Sequence, residues 1–345
     1  MIDLRVRYSA HLRLLEEVMR AELAWWPWDA VGRLGSIVDG QIRNGGKRLR
    51  PLTALLFAEL HGGEPGRVAA PAAGVEFYHL AALVLDDVQD NSAVRRGNPS
   101  VPATSGISTA INVAATIRSL SYHPIHRSNL LDPDEKLSLH RELDEAATRI
   151  VLGQSIDIGW NEGWYKSHFD FPYERMLEWK TGSLFGCAAA MGALTAGATA
   201  AEVDSARRNG TNLGVLFQLI DDYLDVFGRA LTRPAFEDFR GAKMSGPVIY
   251  LLRALHAAGR EDEAESVSRR LAGANDRSGD WGWLLSLLAQ MSIEQKIIDD
   301  LWVLAGRLGE FTVDGQTRHD VGVADIVGLM MSAVHSEGRD ANGHR

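Results

Sequence analysis

The chain holds one cysteine, Cys187. A disulfide within the chain and a cysteine-based zinc site are thereby excluded, and a cytoplasmic location is expected. Basic residues are in the minority: 36 Lys and Arg face 45 Asp and Glu, for a net charge of −9. No nucleic-acid partner is expected of such a chain unless its basic residues cluster. Long uncharged apolar runs are also wanting, so no transmembrane segment is expected. The opening MIDLRVRYSAHLRLLEEVMR breaks its apolar positions with charge and lacks the core of a signal peptide. The cluster Trp25, Trp26 and Trp28 has the chemistry of a membrane-surface contact, but the expected reading is a helix end packed on the core.

Hydrophobic residues make up 46% of the chain and charged residues 23%, a balance that buries a sizeable core. Apolar positions recur every three or four residues in LTALLFAEL (52–60), AAGVEFYHLAALVL (72–85), RIVLGQSIDI (149–158), GVLFQLIDDYLDVF (214–227) and IVGLMMSAV (326–334). Alternating, strand-like runs are scarce. The periodicity predicts an all-α protein of roughly ten or more helices. Breaks are expected at 61–66, 95–102, 130–135, 227–234 and 273–280, where Gly, Pro and Asp gather. Length alone suggests about two domains. No composition shift marks a boundary, however, and the residues with chemistry spread from 47 to 243. One domain over 1–345 is expected, with a motif-bearing core at about 40–250 and a polar, mobile tail at about 336–345.

Two acidic clusters stand out. DDVQD places Asp86, Asp87 and Asp90 at the end of an apolar helix, and DDYLD places Asp221, Asp222 and Asp225 on another. Asp86 with Asp90, and Asp221 with Asp225, are four apart and share a helix face. Like charges at that spacing cost a few tenths of a kcal/mol, a penalty that a cation reverses. One such cluster reads as a solvated helix end; two copies of one spacing do not. Carboxylates without a Cys or His ligand pattern favour a hard cation. Mg²⁺ takes one or two carboxylates together with substrate phosphates. Basic residues for a phosphorylated ligand are present: Lys47 and Arg50 in GGKRLRP, Arg95 and Arg96 in RRGNP, and Lys180 beside Thr181 in EWKTGSLFG.

The ordered set GGKRLRP, DDVQD with RRGNP, GQSID, KTGSLFG, FQLIDDYLD and a late lysine before proline resembles the trans-isoprenyl diphosphate synthase family, over about residues 40–250. The resemblance implies an isoprenoid-synthase-type helical bundle around a deep central cavity, a homodimer, and condensation of an allylic prenyl diphosphate with isopentenyl diphosphate. By position, Asp86, Asp90 and Asp221 resemble direct Mg²⁺ ligands, and Asp87, Asp222 and Asp225 supporting carboxylates. Arg95 and Lys180 resemble the grip on the allylic diphosphate. Lys47, Arg50, His79 and Arg96 resemble the isopentenyl diphosphate site, and Thr181, Gln154 and Gln218 polar groups beside the developing carbocation. Arg233 stands where a lysine is usual and Lys243 is the late lysine. The chain departs from the family at Leu85, Pro102 and Ala114–Ala115. These departures spare both metal clusters.

The implied chemistry is electrostatic. Cations neutralise the diphosphate leaving group, an allylic cation forms away from water, and the acceptor double bond attacks it. No Ser/His/Asp or Cys/His set competes. A terpene synthase or another prenyltransferase on the same fold would share the donor site, but GGKRLRP and His79 argue for a retained acceptor site. A non-catalytic subunit would be expected to lose aspartates, and all six are kept. Product length is expected to be read on the Asp86 helix. In the family, bulky residues four or five positions before the first aspartate resemble a floor at C15; here those positions are Ala82 and Ala81. Tyr78, two turns before Asp86, is the next large side chain. Geranylgeranyl diphosphate (C20) is therefore the expected product.

Overall fold

The computed structural model describes residues 4–44, 46–165, 167, 170–228, 244–272, 281–308, 310–313, 316–319 and 321–338. These form α1 (Leu4–Arg7), α2 (Ser9–Ala24), α3 (Leu34–Arg43), α4 (Leu49–Leu60), α5 (Pro65–Gln89), α6 (Val101–Ser105), α7 (Ile107–Leu120), α8 (His123–Arg127), α9 (Pro133–Asn161), α10 (Tyr173–Met176), α11 (Ser183–Thr195), α12 (Ala200–Phe227), α13 (Gly246–Ala257), α14 (Glu261–Ala272), α15 (Gly282–Gln290), α16 (Ile293–Arg307) and α17 (Val321–Gly338). Two antiparallel hairpins interrupt them: β1 (Val94–Arg95) with β2 (Asn98–Pro99), and β3 (Glu310–Val313) with β4 (Gln316–His319). The all-α expectation holds. Three of the expected breaks fall at helix ends or at the first hairpin, and a fourth, 227–234, opens where α12 ends at Phe227; its residues 229–234 lie outside the described residues, as do 273–280 and 339–345 of the tail.

Local signals set the helix ends. Asp132 accepts from the Glu135 amide while Glu135 reaches back, a capping box with Pro133 at the first helical position of α9. Thr199 and Glu202 do the same for α12. Each cap contributes on the order of 1 kcal/mol. The bundle's centre is α11, in which every residue except Leu194 is buried. It packs between α4 and α12 and touches α5 and α9. A helix apolar on all sides has no solvent face to offer. Close approach is built in: a Cβ on Gly192 would lie 2.3 Å from the Ala54 carbonyl oxygen of α4, so even Gly192→Ala forces these helices apart.

Two expectations need correction. By length and composition α5 is apolar enough to cross a membrane, but most of it is buried inside the fold. Its apolarity serves packing against α2, α4, α7 and α11. The tryptophan cluster is not all packed on the core. Trp28 tucks in and donates to the Leu23 carbonyl (2.6 Å), but Trp25 is 68% and Trp26 36% exposed, with the Arg127 guanidinium 4.3 Å from the Trp25 ring centroid.

The charged residues oppose the helix dipoles. Asp86, Asp87 and Asp90 lie at the C-terminal end of α5, and Asp221, Asp222 and Asp225 close to that of α12. Arg50 lies in the first turn of α4. Each placement forgoes roughly 0.3–1 kcal/mol relative to the opposite arrangement. Such local conflicts mark a site more than a scaffold.

Candidate active site

The first acidic cluster is gripped by cations. The β1–β2 hairpin turns at Arg96 (φ +54°) and Gly97 (φ +77°) and folds Arg95 back over the end of α5. Its Nε donates to Asp87 Oδ1 (2.6 Å) and its second guanidinium nitrogen to Asp86 Oδ2 (2.9 Å). Burial works against the Arg95 charge, but Asp87 and Asp86 more than offset it and hold the guanidinium above its ordinary value. From the other side, Lys180 Nζ lies 3.6 Å from Asp86 and 2.5 Å from Asp157 of α9. Gln154, one turn before Asp157, donates weakly to Asp86 (3.4 Å).

Lys180 and Thr181 sit in a π-helical turn, Leu177–Gly182, that leads into α11. Single π turns concentrate at functional sites. Here the wider turn sends neighbouring side chains to different helices. Lys180 reaches α9, and Thr181 donates to Gln218 of α12 (3.0 Å). Gly153 makes room: a Cβ there would stand 2.3 Å from the Lys180 amide nitrogen.

In the second cluster, Asp222 is held by groups that carry no charge of their own, and Asp221 feels the Arg50 charge. Gln218 donates to Asp222 Oδ1 (2.8 Å), and the other oxygen accepts from the Tyr173 hydroxyl (3.0 Å) and the Gly246 amide (2.8 Å). Burial and the neighbouring Asp222 carboxylate drive the Tyr173 phenol well above its ordinary value, so it stays a donor. A single network thus runs from Asp86 through Lys180 and Thr181 to Gln218 and Asp222, joining the two clusters. Asp87 and Asp222 are buried, with Asp87 Oδ1 and both oxygens of Asp222 engaged. They suit orientation of their neighbours, which fits the supporting role that the resemblance implies. Asp86, Asp90, Asp221 and Asp225 keep partial exposure. Among the described residues no three acidic, histidine or cysteine side chains converge tightly enough to hold a metal ion on their own.

Next to these clusters lies a basic pocket. Arg50 points from α4 to His79 of α5 (3.2 Å) and its guanidinium lies over Phe185 (4.7 Å to the centroid) and Phe217 (5.7 Å). Its Nε is buried without a hydrogen-bond partner among the described residues. Burial pushes Arg50 down to about 10, with Glu76 and Asp221 pulling the other way. His79 was expected among the diphosphate-gripping groups. Burial first, then Arg50, Arg96, Arg48 and Arg95, drives its pKa well below the ordinary value. It is therefore a neutral ring, and because arginine only donates, its Nε2 accepts from Arg50. Its part is to orient Arg50, not to add charge. Arg96 donates to the Asn44 carbonyl (3.1 Å) and lies against Gly46; Lys47 is exposed between them and α4. Arg233 and Lys243 lie outside the described residues.

On α5, Ala82 is partly exposed, whereas Ala81 and Tyr78 are buried. The Tyr78 hydroxyl donates to the Ala147 carbonyl of α9 (3.2 Å), so this ring bridges two helices; burial pushes its phenol to about 12. Sequence reasoning missed Asp157, although it ends the GQSID segment three residues after Gln154. It also missed Tyr173, which has no signal of its own, and the ion pair of Arg48 with buried Glu76.

A family model described as polyprenyl synthetase matches residues 32–276. The short chain isoprenyl diphosphate synthase of Methanothermobacter thermautotrophicus is 30% identical over 237 residues, covering 68% of this chain and 70% of that protein. The geranylfarnesyl diphosphate synthase of Aeropyrum pernix is 35% identical over 232 residues, covering 66% and 71%. The fold matches that of geranylgeranyl pyrophosphate synthase from Corynebacterium glutamicum, solved in complex with isoprenyl diphosphate and magnesium. The TM-score is 0.77 at 23% identity, over 96% of this chain and 99% of that one. With the aspartate clusters and their basic neighbours in one network, the chain belongs to the polyprenyl synthetase family and is a prenyltransferase of the polyprenyl diphosphate synthase class.

Proposed function

We propose that the protein condenses an allylic prenyl diphosphate with isopentenyl diphosphate, that Mg²⁺ assists, and that geranylgeranyl diphosphate is the main product. The observation that carries this reading is the network joining Asp86, Lys180, Thr181, Gln218 and Asp222 beside the Arg50–His79 pocket. Mg²⁺ fits the donor set: Asp86, Asp90, Asp221 and Asp225 offer hard oxygen atoms at partly exposed positions, and His79 is committed to Arg50. Asp86, Asp90 and Asp221 would hold the metal directly. When bound, the metal neutralises charge developing on the leaving diphosphate. Arg95 and Lys180 stand ready to do the same by turning from Asp86 to the allylic diphosphate. Lys47, Arg50 and Arg96 hold the acceptor diphosphate. Thr181 and Gln218 set a polar wall beside the reacting carbons, and Phe185 and Phe217 keep water from Arg50. The allylic C–O bond breaks to leave an allylic cation and the diphosphate, the acceptor double bond attacks the cation to form the new C–C bond, and a proton is then lost to the departing diphosphate.

The two relatives above carry names of different product class, so chain length rests on this chain's own residues. Ala81 and Ala82 remove the higher floor, and Tyr78, braced on the Ala147 carbonyl, supplies the next. Ala82→Phe should shorten the product and Tyr78→Ala lengthen it. Incubation of the purified protein with labelled isopentenyl diphosphate and C5, C10 and C15 donors, then chromatography of the dephosphorylated products, tests both points. No incorporation would remove the condensation reading, and unchanged lengths in both variants would remove α5 as the ruler. A homodimer is part of this proposal. Ile107 and Ile111 of α7, with Val151 and Leu152 of α9, leave large apolar side chains exposed that a second copy would cover.

A further inference from the structure

The acceptor pocket is tied to α5 by a contact that touches no substrate group in the reading above. Arg48 precedes α4 with φ +53°, a left-handed backbone that a non-glycine residue adopts at a cost. Its side chain does not cap the helix. The guanidinium turns inward, donating to the Glu76 carboxylate of α5 and to the Ile42 carbonyl (2.5 Å). The two side chains are 9% and 1% exposed. Glu76 lies one helical turn before His79, and Arg50 lies two residues after Arg48. The start of α4 is thus stitched to α5 at two successive rungs, Arg48 to Glu76 and Arg50 to His79. On its other side the segment before α4 is clamped by Arg96, which donates to the Asn44 carbonyl and lies against Gly46. Lys47 sits between the two clamps.

Charge gives the pair a second use. Arg48, Arg50, Arg95 and Arg96 all act on His79. Before a diphosphate arrives, these cations repel one another across a partly buried space. Glu76 sits beneath them as a buried counter-charge that acts on both Arg48 and Arg50. We propose that the Arg48–Glu76 ion pair is the positioning element of the acceptor pocket, holding Lys47 and Arg50 ready for the diphosphate of isopentenyl diphosphate. The inference rests on the condensation reading and adds two positioning residues to it.

Steady-state kinetics test it, with isopentenyl diphosphate varied against the best of the C5, C10 and C15 donors. Glu76→Gln keeps the shape and removes the charge. The KM for isopentenyl diphosphate should rise about tenfold or more, while the KM for the allylic donor and kcat at saturation stay within about twofold. A role limited to supporting the turn is separated by the double variant Arg48→Gly/Glu76→Leu. Glycine accepts the left-handed backbone, and leucine fills the buried volume without a charge. This variant should melt as cooperatively as the parent and still show the selective rise. Glu76→Asp, which keeps the charge, should recover part of the loss. The KM for isopentenyl diphosphate staying unchanged in a cooperatively melting variant overturns the proposal, as do equal rises in both KM values. If Glu76→Gln fails to fold, the double variant decides alone. Failure of the parent protein to incorporate isopentenyl diphosphate is a separate result of the same assay and strikes the condensation reading itself.

Discussion

The two acidic clusters share one spacing and both lie close to helix C-termini, yet they are held in different ways. Asp86 and Asp87 are neutralised by the cations Arg95 and Lys180. Asp222 accepts from a phenol, an amide side chain and a backbone amide, and Asp221 beside it acts on the Arg50 charge. A cation on a flexible stem can turn to a diphosphate that enters beside it. A backbone amide cannot leave without unravelling the start of α13. The cation pairs on Asp86 and Asp87 are therefore suited to exchange partners, and the three hydrogen bonds to Asp222 are suited to hold it still. In this account Arg95 and Lys180 occupy Asp86 until a diphosphate draws them away, and only then is its carboxylate released to a metal ion. Both clusters fit the same chemistry, but they should respond differently to salt, substitution and ligand.

The largest effects should be common to both clusters. Asp86→Ala and Asp221→Ala should each lower turnover by roughly 10²–10⁴, the scale of losing one electrostatic contact in a transition state. Chelation should abolish activity and added Mg²⁺ restore it; full activity in excess chelator would contradict the metal proposal. Next in size, Arg50→Ala should weaken isopentenyl diphosphate by about 1.5–3 kcal/mol, and Arg95→Ala should weaken the allylic donor by a similar amount. Equal effects of both variants on both substrates would erase the distinction between the two diphosphate sites.

Smaller effects sharpen the contrast. His79 is neutral in the fold, with its pKa well below 6.5, but takes up a proton on unfolding once the pH drops below that value. The unfolded state then binds more protons, so stability falls as pH falls below about 6.5, by up to about 1.4 kcal/mol per pH unit for this one group. Thermal melts of His79→Gln should show a shallower acid limb than the parent. Tyr173→Phe removes a hydrogen bond donated by a neutral phenol to the buried Asp222 carboxylate and should cost about 1.5–3 kcal/mol of stability, nearly independent of salt. The stability change caused by Arg95→Ala should shrink as salt rises. Denaturant melts at low and high salt separate the two behaviours.

The different holds on Asp86 and on Asp222 were not legible in the sequence, although the clusters themselves were. Periodicity is local, so the all-α class and most helix breaks could be read directly. Asp86 with Asp90 and Asp221 with Asp225 follow from helical spacing alone. What holds them comes from far along the chain: Tyr173 reaches Asp222 and Asp157 reaches Lys180 through folding, with no spacing rule to announce them. The neutrality of His79 depends on burial first and then on four arginines gathered from two segments. Composition also could not tell a buried helix from a membrane-crossing one at α5, because a side chain is apolar in either setting. At Trp25 and Trp26 the simple rule that aromatics pack inward failed, since Arg127 covers these rings at the surface.

Mg²⁺ binding followed calorimetrically, with and without inorganic pyrophosphate, tests the exchange directly. Because Lys180 and Arg95 compete with the metal for Asp86, the parent protein should bind Mg²⁺ weakly alone and at least about tenfold more tightly with pyrophosphate. Lys180→Gln should strengthen binding in the absence of pyrophosphate and weaken it in its presence. Equal Mg²⁺ affinity in both states, unmoved by Lys180→Gln, would contradict the account: the cation pairs on Asp86 would then not exchange.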